Sequence, residues 1–358
     1  MQRVCLTLAA ALLAAAVPGV AQDSGPYKIL KSAKVGGEGG FDYVTADAAE
    51  RRLYVGRSGN PGRVTVFNLD TLEKVGEIPD TMRVHGATAS PKSHHGFASS
   101  NPVVMFDTKT LATIKTIDVK GSPDGYLYDP FNDRVWIWSH SMPNATIIEA
   151  SDGSVVGTIE DLGGAPEEAA TDGKGTIYVD IENKDNVAVV DAKTLAVKAH
   201  YDVTGHGGGC AGLALDVKNE ILFAACRNPQ NMVILSAKDG KILETLPLAG
   251  SSDGAVFNPK TMEAFSSHGN GTLTVIKENS PTSFVVEQNL KTMTMAKTCT
   301  LDSKTGHLLL IAAEYTPPPA APATPPTPAP DGRGRGRGGR GGRGQMVPDS
   351  FTILEVGK

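Results

Sequence analysis

The stretch GGFDYVTADAAERRLYVGRSGNPGRVTVFNLDTLEKVGEI, residues 39–78, decides the fold, because most of the remaining chain repeats it. It runs through a polar start, an apolar run ending in an acid (Asp47), a turn, LYVG, a polar loop, VTVFN, a Thr-Leu turn and KVGEI. Short β-branched and aromatic runs between polar turns read as strands, and this unit holds four of them. With Asp47 as anchor, the equivalent positions are Ser90, Asp129, Asp172, Asp216, Asn258 and Asp302, at successive spacings of 43, 39, 43, 44, 42 and 44. A second marker keeps the same register. Thr71-Leu72, Thr110-Leu111, Asp152-Gly153, Thr194-Leu195 and Asp239-Gly240 each fall in the turn between a unit's last two strands. Seven units of four strands, with a period in the low forties, predict an all-β, seven-bladed β-propeller of four-stranded blades.

The expected blades span approximately 37–82, 83–120, 121–162, 163–204, 205–248, 249–290 and 291–358, within a single domain over 22–358. Two strand-like pieces lie outside the regular units, YKILKSAKV at 27–35 and FTILEV at 351–356. A propeller must close its ring or expose sheet edges. The N-terminal piece is therefore expected to pair with the C-terminal blade as its outer strand. Residues 316–345, TPPPAAPATPPTPAPDGRGRGRGGRGGRGQ, interrupt that last blade. Prolines cannot donate to a ladder and the Gly-Arg run cannot build a core, so a disordered insertion is expected.

The chain begins with one Arg followed by an apolar run over 4–17 and small residues at Gly19 and Ala21. This pattern predicts a signal peptide over 1–21 and export to the periplasm or beyond. The run falls short of the roughly 20 residues needed to cross a bilayer, so no transmembrane segment is expected.

LYVGR at 53–57 and IYVDIEN at 177–183 resemble the YVTN repeat, and the grammar of the units is similar to that of the YncE-like family of secreted bacterial β-propellers. The resemblance covers nearly all of the mature chain. It implies the propeller and the export, but supplies no shared catalytic motif, since the scaffold defines the family.

Charge narrows the partners. The formal net charge is -5. Removing Arg3 with the leader, and setting aside the insertion's five Arg and one Asp, leaves the propeller body near -10. Such a body lacks the basic footprint that tracks a nucleic-acid backbone. The Arg-Gly insertion alone offers a surface for polyanions.

Blade geometry places two sets of side chains around one mouth of the channel: those just before a first strand and those just after a second strand. Five positions before the anchors stand Asp42, His85, Asp124, Glu167, Ala211, Asp253 and Lys297. Ten or eleven after them stand Arg57, Ser100, His140, Glu182, Arg227 and His268, with Glu314 one step further. The candidate ligand-binding set is Asp42, His85, Asp124, His140, Glu167, Glu182, Arg227, Asp253 and His268. Imidazoles mixed with carboxylates suit a divalent metal, with His85, His140, Glu182 and His268 as candidate ligands. The same positions also suit salt bridges at solvated strand ends, for instance among Asp42, Arg57, Lys297 and Glu314.

No stronger catalytic grammar is present: there is no GxSxG elbow, no HExxH and no P-loop. The Gly-rich GHGGGC at 205–210 enters a strand, so it lacks the helix terminus that would bind phosphate. Cys210 and Cys226 lie symmetrically about Lys218 and are expected to face each other as a disulfide. Cys299 reads as core packing. Trp136 and Trp138 alternate onto one side of a strand, against a neighbouring blade. The reading overall is a monomeric, non-enzymatic binding or scaffolding module that engages a small polar ligand, a metal or a protein partner at the mouth. A metal-assisted, lactonase-like hydrolase is the alternative.

Overall fold

A computed structural model describes residues 24–317 and 344–358. The expected signal peptide and nearly all of the expected insertion lie outside the described residues. Within them, seven four-stranded antiparallel sheets form a ring. Blades 1 to 6 occupy 40–78, 87–117, 123–159, 166–202, 212–247 and 252–291. Blade 7 takes Cys299–Leu301, Leu308–Ala312 and Thr352–Gly357, and its outer strand is Lys28–Lys34 from the other end of the chain. The ring therefore closes as the strand-like ends predict. Tyr315 and Met346 form a bridge at the root of the insertion.

The repeating acid has a local physical cause. In every blade its side-chain oxygen accepts a backbone N–H two residues on, closing the turn between the first and second strands. Asp47 accepts from Ala49 and Glu50, each at 3.0 Å, and Ser90 accepts from Lys92 and Ser93, each at 3.2 Å. Asp129, Asp172, Asp216, Asn258 and Asp302 accept in the same way. The second marker is a left-handed residue, with φ of 61° at Leu72, 62° at Leu111 and 57° at Leu195, replaced by Gly153 and Gly240 in blades 3 and 5. A left-handed leucine costs roughly 1–2 kcal/mol. Leu72 and Leu111 are buried under their turns, and burying such a side chain recovers roughly 1.5–3 kcal/mol. Burial wins, so leucine can stand where glycine would be easier.

The core consists of seams between blades. Alternate residues of a strand face opposite sides of its sheet. In the second strand of blade 4 (Thr176–Ile181), Ile177, Val179 and Ile181 pack toward Trp136, Trp138 and Ile147 of blade 3. Tyr178 packs instead toward Leu213 and Leu222 of blade 5. The two tryptophans thus fill a seam, as their spacing predicts. Among the described residues the one helical turn is Glu182–Lys184, and no helix is long and apolar enough to cross a membrane.

Cys210 and Cys226 are disulfide-bonded, and Cys299 is a buried free thiol. The ladder pairs Gly212 with Ala225, a register shifted by one from symmetry about Lys218. The cysteines therefore close the open end of the hairpin just beyond its ladder.

Candidate functional site: the channel mouth

The first strands line the channel, and the residues entering them meet the loops that leave the second strands. There the predicted side chains join into one chain of ion pairs. His85 Nδ1 lies 2.8 Å from Asp42 Oδ2 and 3.0 Å from Asp124 Oδ1. Lys297 Nζ lies 2.8 Å from Asp42 Oδ1 and also contacts Asp253. Arg227 contacts Asp253 through one terminal nitrogen and Glu182 through the other, while its Nε–H donates to the Ser252 carbonyl at 3.0 Å. His140 Nε2 lies 2.8 Å from Glu182 Oε2 and 3.2 Å from Glu167 Oε1.

Read in space, the chain runs Asp124, His85, Asp42, Lys297, Asp253, Arg227, Glu182, His140, Glu167. It passes through blades 3, 2, 1, 7, 6, 5, 4, 3 and 4. Each of the seven seams between neighbouring blades is crossed by at least one of these contacts. Five carboxylates alternate with four bases, so acids outnumber bases by one around the belt.

Electrostatics follow from that alternation. Burial works against charge on His85, but hydrogen bonds to Asp124 and Asp42 outweigh it and push the imidazole up to about 9. Glu167 and Glu182 likewise raise His140, to about 10. Burial would lift Asp42, yet Lys297 and His85 hold it well below the usual carboxylate range. Lys297 is in turn raised by Asp42 and Asp253 against the cost of its burial. Glu167 and Glu182 split: burial lifts Glu167, whereas His140 and Arg227 overcome burial and lower Glu182.

Just inside the belt lies a cavity of about 140 Å³ in the channel, lined by Tyr43, Tyr126, Glu167, Glu168, Thr45 and Thr298 among others, with no Lys, Arg or His. Its tyrosine rings meet edge to face with centroids 5.6 Å apart. The Tyr43 hydroxyl donates to Glu167 Oε2 at 3.3 Å, and the Tyr126 hydroxyl lies 2.7 Å from Thr45 Oγ1. Glu168 Oε2 accepts the backbone N–H groups of Leu213 and Ala255, both at 2.9 Å, so one carboxylate ties blades 4, 5 and 6 together. Burial pushes Glu168 up to about 8. Asp180, on the blade 5 side of blade 4, is fully buried with neither oxygen hydrogen-bonded, and burial raises it well above the ordinary range.

Eight of the nine candidates therefore meet in the belt. His268 does not. It is fully buried, with Nδ1 3.0 Å from Thr272 Oγ1, and burial lowers it to about 4, away from either carboxylate cluster. Arg57 stands apart too: it donates to the carbonyls of Gly37, Glu38 and Gly39 and lies 3.9 Å over the Phe351 ring, locking the closing linker. The belt's Lys297 was visible as the seventh member of the pre-strand set. Glu168, Tyr43 and Tyr126 were not, because they sit one or two residues away from the repeat positions and only the closed ring turns them inward.

Two groups converge tightly enough to hold a cation, Asp42 with His85 and Asp124, and His140 with Glu167 and Glu182. In each, a single imidazole nitrogen is aimed at two carboxylates, an arrangement that suits a divalent metal as well as a proton.

No protein-family model matches the chain, and no curated protein matches it in sequence. Solved structures do match in shape. A chain of a mitotic checkpoint complex matches with a TM-score of 0.66 at 13% identity, covering 87% of this chain and 95% of that one. The RRP9 WD40 repeats match at 0.70 and 10% identity, covering 93% and 99%. U3-55K matches at 0.69 and 10% identity, covering 92% and 98%. At these identities the likeness is one of fold, and it establishes the chain as a seven-bladed β-propeller with the architecture of WD40 proteins.

Proposed function

We propose that this chain is an exported, monomeric binding module of the YVTN-repeat kind, whose channel mouth receives a small polar ligand or a polar segment of a protein partner. One observation carries the reading: an ion-paired belt drawn from all seven blades surrounds an acidic, tyrosine-lined cavity. Ion pairs alone would brace the ring, but bracing needs no cavity beneath them. Solved likenesses that include a chain of a mitotic checkpoint complex support the use of this fold as an interaction platform.

The test is thermal shift of the mature protein against a defined panel of amino acids, amines, sugars, carboxylates and divalent cations. A stabilising compound whose effect disappears in His140→Gln supports the reading. A silent panel at millimolar concentrations, with no partner peptide protecting the mouth from hydrogen exchange, overturns it.

The two histidine–dicarboxylate groups favour a second reading, a metal-assisted hydrolase of the lactonase kind. His140, Glu167 and Glu182, or Asp42, His85 and Asp124, would hold a divalent ion that acidifies a water. Elemental analysis after exhaustive dialysis decides it. A near-stoichiometric metal that is lost in the His85→Ala, His140→Ala variant supports catalysis, and no metal in the parent removes the reading.

A further inference from the structure

We propose that the cavity inside the belt is a binding site for a small organic ammonium ion, with Glu167 and Glu168 as its charge partners and Tyr43 and Tyr126 as its walls. The inference deepens the proposed function and rests on it, since Glu167 belongs both to the cavity and to the belt at the mouth.

The argument begins with sign. The cavity wall presents two carboxylates and no basic side chain, and the bases of the belt are already engaged by belt carboxylates. No base faces the two carboxyls, so an anionic ligand finds no charge partner there, whereas a cation bound beside them favours their ionised form.

Size comes next. A cavity of about 150 Å³ accommodates benzene. The present volume of about 140 Å³ thus admits a ligand of roughly six non-hydrogen atoms.

Wall chemistry then chooses among cations. A hard metal ion prefers a shell of oxygens, and here Thr45, Thr298 and the carboxylates share the wall with two phenol rings, Val44, Ala169 and Val256. Aromatic faces beside carboxylates suit an ammonium head carrying a short apolar body. Glu168 is held by two backbone N–H groups through one oxygen, so it is positioned before any ligand arrives.

The experiment is isothermal titration of the full mature protein with ethanolamine, n-butylamine and choline, with acetate and calcium chloride as comparators. Two variants accompany it. Glu168→Gln removes the ionisable carboxyl but keeps an oxygen for Leu213 and Ala255, and Val256→Met fills the cavity without altering a titratable group. One-to-one binding of an amine, weakened about tenfold or more in Glu168→Gln and abolished in Val256→Met, with acetate inert, is the expected result. Calcium binding with no amine binding overturns the ammonium assignment in favour of a metal. If no amine binds while another compound binds and responds to His140→Gln, this inference falls and the mouth reading stands. If nothing binds and His140→Gln changes nothing, both fall.

Discussion

Replacing Lys297 with methionine should strand two carboxylates at once. Lys297 Nζ bridges Asp42 and Asp253 across the seams that join blade 7 to blades 1 and 6. The three side chains keep 17%, 29% and 22% of their surface, so the triad is neither dry nor free in water. Breaking a fully buried pair by removing one partner costs about 3–5 kcal/mol, and exposed pairs are worth up to about 1. The intermediate case, with two acids left facing each other, points to a loss of about 2–3 kcal/mol. For a domain of this size each kcal/mol moves the melting temperature by about 2 °C, so Lys297→Met should melt about 4–6 °C lower at pH 7.

Asp42 fixes how that deficit depends on pH. In the parent its carboxyl is depressed, so its contribution is present above the ordinary carboxylate range and lost as pH falls through the folded value. Without Lys297 the Asp42 carboxyl protonates more easily, and the gap between variant and parent should narrow as pH falls below the ordinary carboxylate range, toward about pH 3. The assay is scanning calorimetry at low salt and both pH values. The triple variant Lys297→Met, Asp42→Asn, Asp253→Asn should recover more than half of the loss, because no orphan charge remains. A fall of under about 1 °C at pH 7, or an equal fall at both pH values, would refute the belt as a structural element.

Three further outcomes are expected. His85 and His140, raised to about 9 and about 10, favour the folded state fully below the ordinary imidazole range. Glu168, raised to about 8 by burial and by Glu167 and Asp253, binds its proton more tightly when folded. All three make stability decline as pH climbs from about 5 to 10, and Glu168→Gln should flatten the part between about 5 and 8, read as melting temperature against pH. Reducing Cys210–Cys226, which closes a loop with a sequence separation of 16, should cost on the order of 3 kcal/mol in urea unfolding, and a Cys→Ser pair should match it. Arg57→Lys keeps the charge but cannot reproduce a guanidinium fork that serves three carbonyls and lies over Phe351. Hydrogen exchange should accelerate first in Lys28–Lys34 and Thr352–Gly357, the strands that close the ring.

The repeat determined the propeller and its blade count, and the two strand-like ends outside it determined the closure. The reason is local: a side chain that caps the first turn recurs in all seven blades and a left-handed residue marks the third turn of blades 1 to 5, so their spacing writes the architecture into the chain. The mouth was legible through the same periodicity, because residues at fixed offsets from the anchor reach the same end of the channel. The disulfide was legible through hairpin proximity, although its register was off by one. Periodicity could not tell which members of those sets face the opening. His268 shares its offset with Arg227 and His140, yet turns onto Thr272 and is sealed, because contacts within the blade 6 loop decide its direction. Nor could spacing place Glu168, Tyr43 and Tyr126 around one cavity, since they come from blades 1, 3 and 4 and converge only when the ring has closed. Which blades the chain makes is a matter of local hydrogen bonds; what those blades enclose depends on seven seams packing at once.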